Sequence, residues 1–457
     1  MRTLGPTRAA AEYVAGFEPG RLEKHTLERT KRALLDFVGI AVRARFDAES
    51  SPAIAKAAAL LGKPGAARAI GHAERYAAHY AAFLNGAYAH TLDFDDTHQD
   101  GSIHPGAPVI AAVLAVADET GASGLSVLGA IVAGYDLTVR LSQAMDPAAQ
   151  YARGLHPSAI CGTFGAAAAA ANALGDDARV IENALGLAGS FAAGSQQFLD
   201  TGGWNKRVHV GYAAHNGIVA RQLAACGVAG APQAFEGKYG AFVNFSGHGD
   251  PQRLIESLGG THAIDETATK PYPCCRYAHA PLDALIALLN EHDIKPEEIE
   301  HIDVRIPSIP MELIVYPVER KRNPRTIVDA QFSMVFLAAA AALRRAFRWS
   351  DYELLGSAQV ANMIARTDVH ADLELDRSGL RMPGAIVLQA RGQSWTRRCE
   401  IPSGEPEKPL GWDALMDKFH GLASIAYDER RRNAIVSSIR SLDRCPDARA
   451  LTELLGA

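Results

Sequence analysis

Ten consecutive residues, Lys270-Pro271-Tyr272-Pro273-Cys274-Cys275-Arg276-Tyr277-Ala278-His279, gather an amine, a guanidinium, two phenols, two thiols and an imidazole. Prolines fix φ and push the preceding residue towards extended backbone. The stretch is therefore expected to be an ordered, non-helical lead into an apolar helix over Pro281 to Leu289. The start of that helix offers unpaired N–H groups and positive partial charge to an anion. Proton-transfer groups beside cations predict acid–base chemistry on a carboxylate. Cys274 and Cys275 are adjacent and would point apart, which argues against a vicinal disulfide or a shared metal. A thiol nucleophile would need His279 as its base. Lys270 suits a carboxylate anchor, or a base once desolvated.

Other segments carry similar chemistry. His90-Thr91-Leu92-Asp93-Phe94-Asp95-Asp96-Thr97-His98, followed by Ser102-Ile103-His104-Pro105-Gly106, holds three carboxylates and three imidazoles at one helix-to-loop transition. Asp93 and Thr97 would share a face if the helix continues. In Gly154-Leu155-His156-Pro157-Ser158 the proline suits a first helical position, which sets His156 at the mouth of a helix rich in alanine and glycine. Thr201-Gly202-Gly203-Trp204-Asn205-Lys206-Arg207-Val208-His209 offers cations after a glycine turn that lets backbone approach a ligand. Arg320-Lys321-Arg322-Asn323-Pro324-Arg325 reads as a solvated basic loop.

These residues need a scaffold. Apolar residues at helical spacing predict helices over Leu22 to Val42, Tyr76 to Leu92, Pro108 to Thr120, Leu125 to Met145, Pro157 to Leu174 and Ala213 to Cys226. Gly162 to Ala173 is small and apolar all round, as in a helix enclosed by others. Period-two alternation then predicts strands over Ile302 to Ile306 and within Gly384 to Ile401, with a helix over Thr326 to Phe347 between them. Helices return over Trp412 to Ile425 and Asp428 to Leu442. The expected fold is mainly α: a helical domain over 1–265, an α+β lid over 266–402, and C-terminal helices over 403–457 that rejoin the first domain.

At 457 residues the chain exceeds the usual size of one hydrophobic core. Its net charge of -5 gives no footprint for nucleic acid or an anionic membrane. No two of its six cysteines form a C-x-x-C pair, against a zinc ribbon, a redox dithiol or an iron–sulfur cluster. The first residues lack an apolar signal region, and runs such as Val109 to Val116 are too short to span a bilayer. A soluble, cytoplasmic protein is expected.

The segments LDFDDTH…HPG, RGLHPSAICGTFGAAAAAA, GGWNKRVHVGYAAHNG and TKPYPCCRYAHAPLDA, in this order and spacing, resemble the MmgE/PrpD family. That family includes 2-methylcitrate dehydratase, cis-aconitate decarboxylase and iminodisuccinate epimerase. The resemblance covers almost the whole length. It implies a large helical domain with an α+β lid, a homodimer, and a site that needs no cofactor or metal. It further implies that Asp93, Thr97, His104, His156, Lys206 and Lys270 line that site. The decarboxylases carry a further imidazole about five residues after the lysine matching Lys270. Here Cys275 stands in that place, with His279 further on, so decarboxylation is the less expected outcome.

The expected mechanism is abstraction of a proton α to a carboxylate of a small di- or tricarboxylic acid, with 2-methylcitrate-like dehydration as the leading outcome. Decarboxylation and epimerisation are the alternatives. Lys206, Lys270 and Arg276 would hold carboxylates, with Thr97, Cys275, Tyr277 and His279 completing the binding site. His104 and His156 would act as acid and base, and Asp93 would orient an imidazole. Two rivals come from other classes. A terpenoid-synthase-like Mg2+ site at Asp95, Asp96 and Asp100 lacks its second motif, and an inactive binding protein would bind acids without turnover.

Overall fold

The computed structural model describes residues 4–380 and 382–457, with backbone alone at 200 and 201. It is mainly α-helical and forms two compact units, Met1–Thr269 with Gly411–Ala457, and Lys270–Leu410. The second unit thus begins at Lys270 rather than 266 and ends at Leu410 rather than 402. Two local contacts account for the shift. Ala268 exchanges both backbone hydrogen bonds with Thr97, which keeps 266–269 with the helices. Ser403 N–H donates to Asp283 Oδ2 at 2.6 Å, which keeps the proline-rich segment around it with the α+β unit.

The helical unit is built on α1 (Pro6–Ala15), α2 (Lys24–Asp47), α3 (Ala78–Thr91), α4 (Gly106–Thr120), α5 (Gly124–Met145), α6 (Pro157–Ala173), α7 (Ala178–Phe191) and α8 (Asn205–Ala225). It is completed from the far end of the chain by α12 (Trp412–Ala423) and α13 (Glu429–Arg440). Strands β1 (Pro64–Arg68) and β2 (Arg75–Tyr76) form a small antiparallel pair. Pro157 to Ala171 of α6 are all buried, as an all-round apolar helix requires. Helix α5 is long and apolar enough to cross a membrane, yet 89% of its most apolar window is buried inside the unit.

Small residues set the helix crossings. A Cβ on Gly165 of α6 would lie 1.7 Å from Thr138 Oγ1 of α5, and one on Gly211 of α8 would lie 2.5 Å from the Phe83 carbonyl of α3. Gly86 of α3 faces the Gly211 Cα at 3.2 Å by the same construction. These contacts let backbones meet directly. Gly165→Ala is expected to cost about 1–3 kcal/mol by overpacking, read as a lower urea midpoint at unchanged m-value.

The α+β unit holds a four-stranded sheet in the order β4 (Thr367–Ala371), β3 (Ile299–Ile306), β5 (Gly384–Ala390), β6 (Gln393–Cys399). The β3–β4 pair is parallel and the others antiparallel. Helices α9 (His279–Glu291) and α11 (Met334–Arg344) pack on the sheet. Arg391 and Gly392, with φ of 55° and 67°, make the two-residue turn between β5 and β6.

Three expectations differ from what is observed. Helix α8 starts at Asn205, not Ala213, so the cations after the glycine pair sit on a helix rather than in a turn. The helix expected over Thr326 to Phe347 is two, α10 (Ile327–Gln331) and α11, because Ser333 takes an extended backbone and its hydroxyl caps the Phe336 N–H. Strand β4 was not foreseen, since Thr-Asp-Val-His-Ala carries little apolar alternation for an edge position.

Candidate active site

The chemistry-bearing residues of the helical unit meet where α3 ends and where α4, α6 and α8 begin. Helix α3 stops at Thr91, and Asp93 takes φ 51°, a left-handed conformation uncommon for a side-chain-bearing residue. The helix therefore does not run on to Thr97, and the expected helical face shared by Asp93 and Thr97 is absent. The turn instead lays out three aspartates with three separate tasks.

Asp93 Oδ1 accepts from Lys206 Nζ at 2.8 Å, in the first turn of α8. Asp95 lies between two imidazoles, with Oδ2 2.7 Å from His90 Nδ1 and Oδ1 3.3 Å from His104 Nδ1. Asp96 turns away from them. Its Oδ1 accepts the Gly106 N–H at 3.1 Å and its Oδ2 accepts the Tyr135 hydroxyl at 2.5 Å. A Cβ on Gly106 would fall 2.5 Å from that hydroxyl and 2.8 Å from both Asp96 oxygens, so only glycine fits there. This clamp, with the His104 N–H donated to Ser158 Oγ at 3.0 Å, fixes the backbone that carries His104.

The imidazoles form a row. His90 and His104 meet edge to face at 4.7 Å between ring centres, and His90 stacks on His156 at 5.7 Å. His156, the N-cap residue of α6, approaches His209 of α8 with the two Nδ1 atoms 3.4 Å apart. Lys206 and His209 are one turn apart on α8, which places both on the same face. Beneath Asp95, the carboxylate of Asp36 on α2 pairs with Lys418 of α12 at 2.6 Å.

Burial sets the charge states. It pushes His90 down to about 4 despite Asp95, and with His90 nearby it pushes His209 down to about 4. Burial, then the neighbouring His90 and Lys206, hold His156 well below the usual imidazole range. Burial would raise Asp95, but the His104 and His90 rings outweigh it and keep its carboxyl well below the usual range. Asp96 has only hydrogen bonds against its burial, and is pushed up to about 7. Burial works against the Lys206 ammonium too, but Asp93 and then Asp95 outweigh it and raise its pKa. The result is three neutral imidazoles, His90, His156 and His209, near one carboxylate, with one ammonium at the edge. That arrangement can move protons next to a bound anion.

His90, Asp95 and His104 each place a ligand atom within 4.8 Å of the others, the set among the described residues that could surround a cation. The 2.7 Å between His90 and Asp95 is a hydrogen-bond length, with a proton between the two atoms. The aspartates of the terpenoid-like reading are engaged elsewhere: Asp95 with imidazoles, Asp96 with Gly106 and Tyr135.

Lys270, Cys275, Arg276, Tyr277 and His279 belong to the α+β unit. Lys270 is 3% exposed and opens that unit. Cys274 and Cys275 are separate buried thiols, and the Cys275 N–H donates to the Gln331 carbonyl at 3.1 Å. Arg276 pairs with Glu405, Tyr277 is half-buried, and His279 Nε2 lies 3.3 Å from the Cys274 carbonyl. A short 3-10 turn, Arg276–Ala278, separates the extended stretch from α9, which starts earlier than Pro281. Thr97 is buried in the helical unit and contributes its backbone to Ala268.

His90, Asp95 and His209 have no role in the acid–base mechanism expected from the sequence, where Asp95 figures only in the rival Mg2+ reading. The carboxylate between the imidazoles is Asp95, while Asp93 holds Lys206. The spacing of Lys206 and His209 would have revealed the latter, had α8 been started at Asn205.

The chain is similar to known proteins over nearly all of its length. The MmgE/PrpD N-terminal domain model matches residues 8–254, and the MmgE/PrpD C-terminal domain model matches residues 272–443. Cis-aconitate decarboxylase of Aspergillus terreus is 27% identical over 99% of this chain and 96% of its own. Human cis-aconitate decarboxylase is 26% identical over 98% of this chain and 94% of its own. A cis-aconitate decarboxylase-like protein of Aspergillus oryzae is 26% identical over 98% of this chain and 97% of its own. With both domain models matched in sequence order over nearly its whole length, the chain belongs to the MmgE/PrpD family and is an enzyme of its lyase and isomerase kind.

Proposed function

We propose that this enzyme is a carboxy-lyase acting, without a cofactor, on a small unsaturated tricarboxylate of the cis-aconitate type. The observation that carries the reading is the row of buried imidazoles around Asp95 beside the Lys206 ammonium. Near-full-length similarity to cis-aconitate decarboxylases supports this outcome over dehydration, which the sequence reading had placed first.

In such a substrate a carboxylate leaves as CO2 from the carbon next to the alkene. The released pair forms a new double bond, the old one shifts, and the carbon α to another carboxylate takes up one proton. Two demands follow: a proton donor at that carbon, and cations for the carboxylates that stay. His104 fits the first, because its Nδ1 lies 3.3 Å from Asp95 Oδ1 and a carboxylate is thus beside any proton the ring carries. Lys206 meets part of the second, since three ammonium protons can serve both Asp93 and a substrate oxygen. His156, held neutral by burial, fits a hydrogen-bond or base role on the same substrate.

A second reading rests on Cys275. A thiol in place of the imidazole that the resemblance expects favours dehydration of a 2-methylcitrate-like hydroxy acid. NMR of cis-aconitate and 2-methylcitrate with the enzyme in D2O separates the two. Loss of a carboxylate carbon from cis-aconitate, with one deuterium gained at carbon, is the expected result. A new alkene signal from 2-methylcitrate, with cis-aconitate untouched, would replace the first reading by the second.

A further inference from the structure

We infer that His90 is a positioning residue, which acts through Asp95 to hold the His104 imidazole in its working orientation. The inference rests on the proposed role of His104 in proton transfer. Its basis is geometric. The His90 side chain is fully enclosed, Asp95 is 5% exposed, and their 2.7 Å contact occupies one carboxylate oxygen while the other faces His104. Asp95 Oδ1 and His104 Nδ1 complete no hydrogen bond at 3.3 Å among the described residues, so the His90 bond is what restrains rotation of the carboxylate that faces His104. His90 itself is fixed by its place on α3, where Gly86 and Gly211 bring two backbones together, and by its stack on His156. Its Nε2 is buried without a hydrogen-bond partner among the described residues. Neutral His90 therefore carries its proton on Nδ1, where it serves only Asp95. A group that feeds one oxygen of a carboxylate whose other oxygen faces a proton-transfer imidazole belongs to the support of that imidazole.

The charged and titratable groups that face this pair are Asp93 and Asp96 from the same turn, His156 on α6, Lys206 and His209 on α8, and the Asp36–Lys418 pair on α2 and α12. Replacing His90 removes a neighbour that holds the His156 and His209 imidazoles down, and leucine and asparagine remove it equally, so the comparison between them isolates the contact with Asp95.

The test compares His90→Leu with His90→Asn in the full-length enzyme. The asparagine amide can take the place of Nδ1–H, whereas leucine removes the donor. His90→Leu is expected to lower kcat about 10- to 100-fold with KM nearly unchanged. His90→Asn should stay within about fivefold of wild type. If His90→Leu does not fold, His90→Gln, whose amide sits one bond too far, takes its place. A folded His90→Leu enzyme with wild-type kcat would overturn the inference, as would a loss that falls on KM rather than kcat, or His90→Asn failing as badly as His90→Leu. So would a divalent ion that binds one to one, restores activity after chelation and is lost in His90→Leu. His104→Ala separates the two levels. If it retains turnover, the proposed function falls and takes this inference with it. If it is inactive while His90→Leu is unaffected, only the inference on His90 falls.

Discussion

Replacing His104 with alanine is expected to lower turnover by about 10²–10⁴-fold, the usual worth of a positioned general acid or base. The folded protein should survive, because the side chain is 16% exposed and its backbone is held by Ser158 and, through Gly106, by Asp96. Substrate affinity should change little, since carboxylate binding is assigned to the cations. Added imidazole gives the sharper check. It should restore part of kcat in His104→Ala by entering the space left beside Asp95, and it should do nothing for wild type. Near-native turnover in His104→Ala would remove the proposed mechanism at its centre.

The second large effect concerns stability. Asp96 is buried and pushed up to about 7, against about 3.8 in the unfolded chain. Between those values the folded state binds a proton that the unfolded state has lost, so this group's contribution declines as pH rises through that window. The decline is about 1.4 kcal/mol per pH unit, and amounts to roughly 4 kcal/mol by pH 7 and above. Asp96→Asn removes the titration and keeps an oxygen for the Gly106 N–H. The variant should therefore gain stability relative to wild type as pH goes from 5 to 8, read as the difference in urea midpoints. A difference that stays flat over that range would mean that Asp96 ionises normally in the folded protein.

Much of the frame was visible in the residues themselves. Alanine- and glycine-rich runs with helical period marked α4, α5 and α6, and Pro157 marked where α6 begins, because each of these signals is local. His104, His156 and Lys206 were identified as separate candidates, and the structure brings all three to one place in the helical unit. The role of Asp95 was not visible. Its partners His90 and His104 lie on either side of a turn whose path depends on Asp93 adopting φ 51°, and no spacing rule encodes that. The early start of α8 was hidden for a related reason. Gly202, Gly203 and Trp204 read as a turn, and the helix after them is held by its backbone contact with α3 rather than by propensity. Strand β4 gains its place from pairing with β3, not from its own composition.

The direct meeting of α3 and α8 at Gly86 and Gly211 has a bearing on redesign. His90 is carried by one of these helices and Lys206 by the other, so the gap between proton relay and anion anchor is set by two peptide backbones in touch. Side-chain swaps around the site leave that backbone spacing unchanged. A library seeking a longer or shorter acid should leave both glycines untouched and sample residues off these two helices.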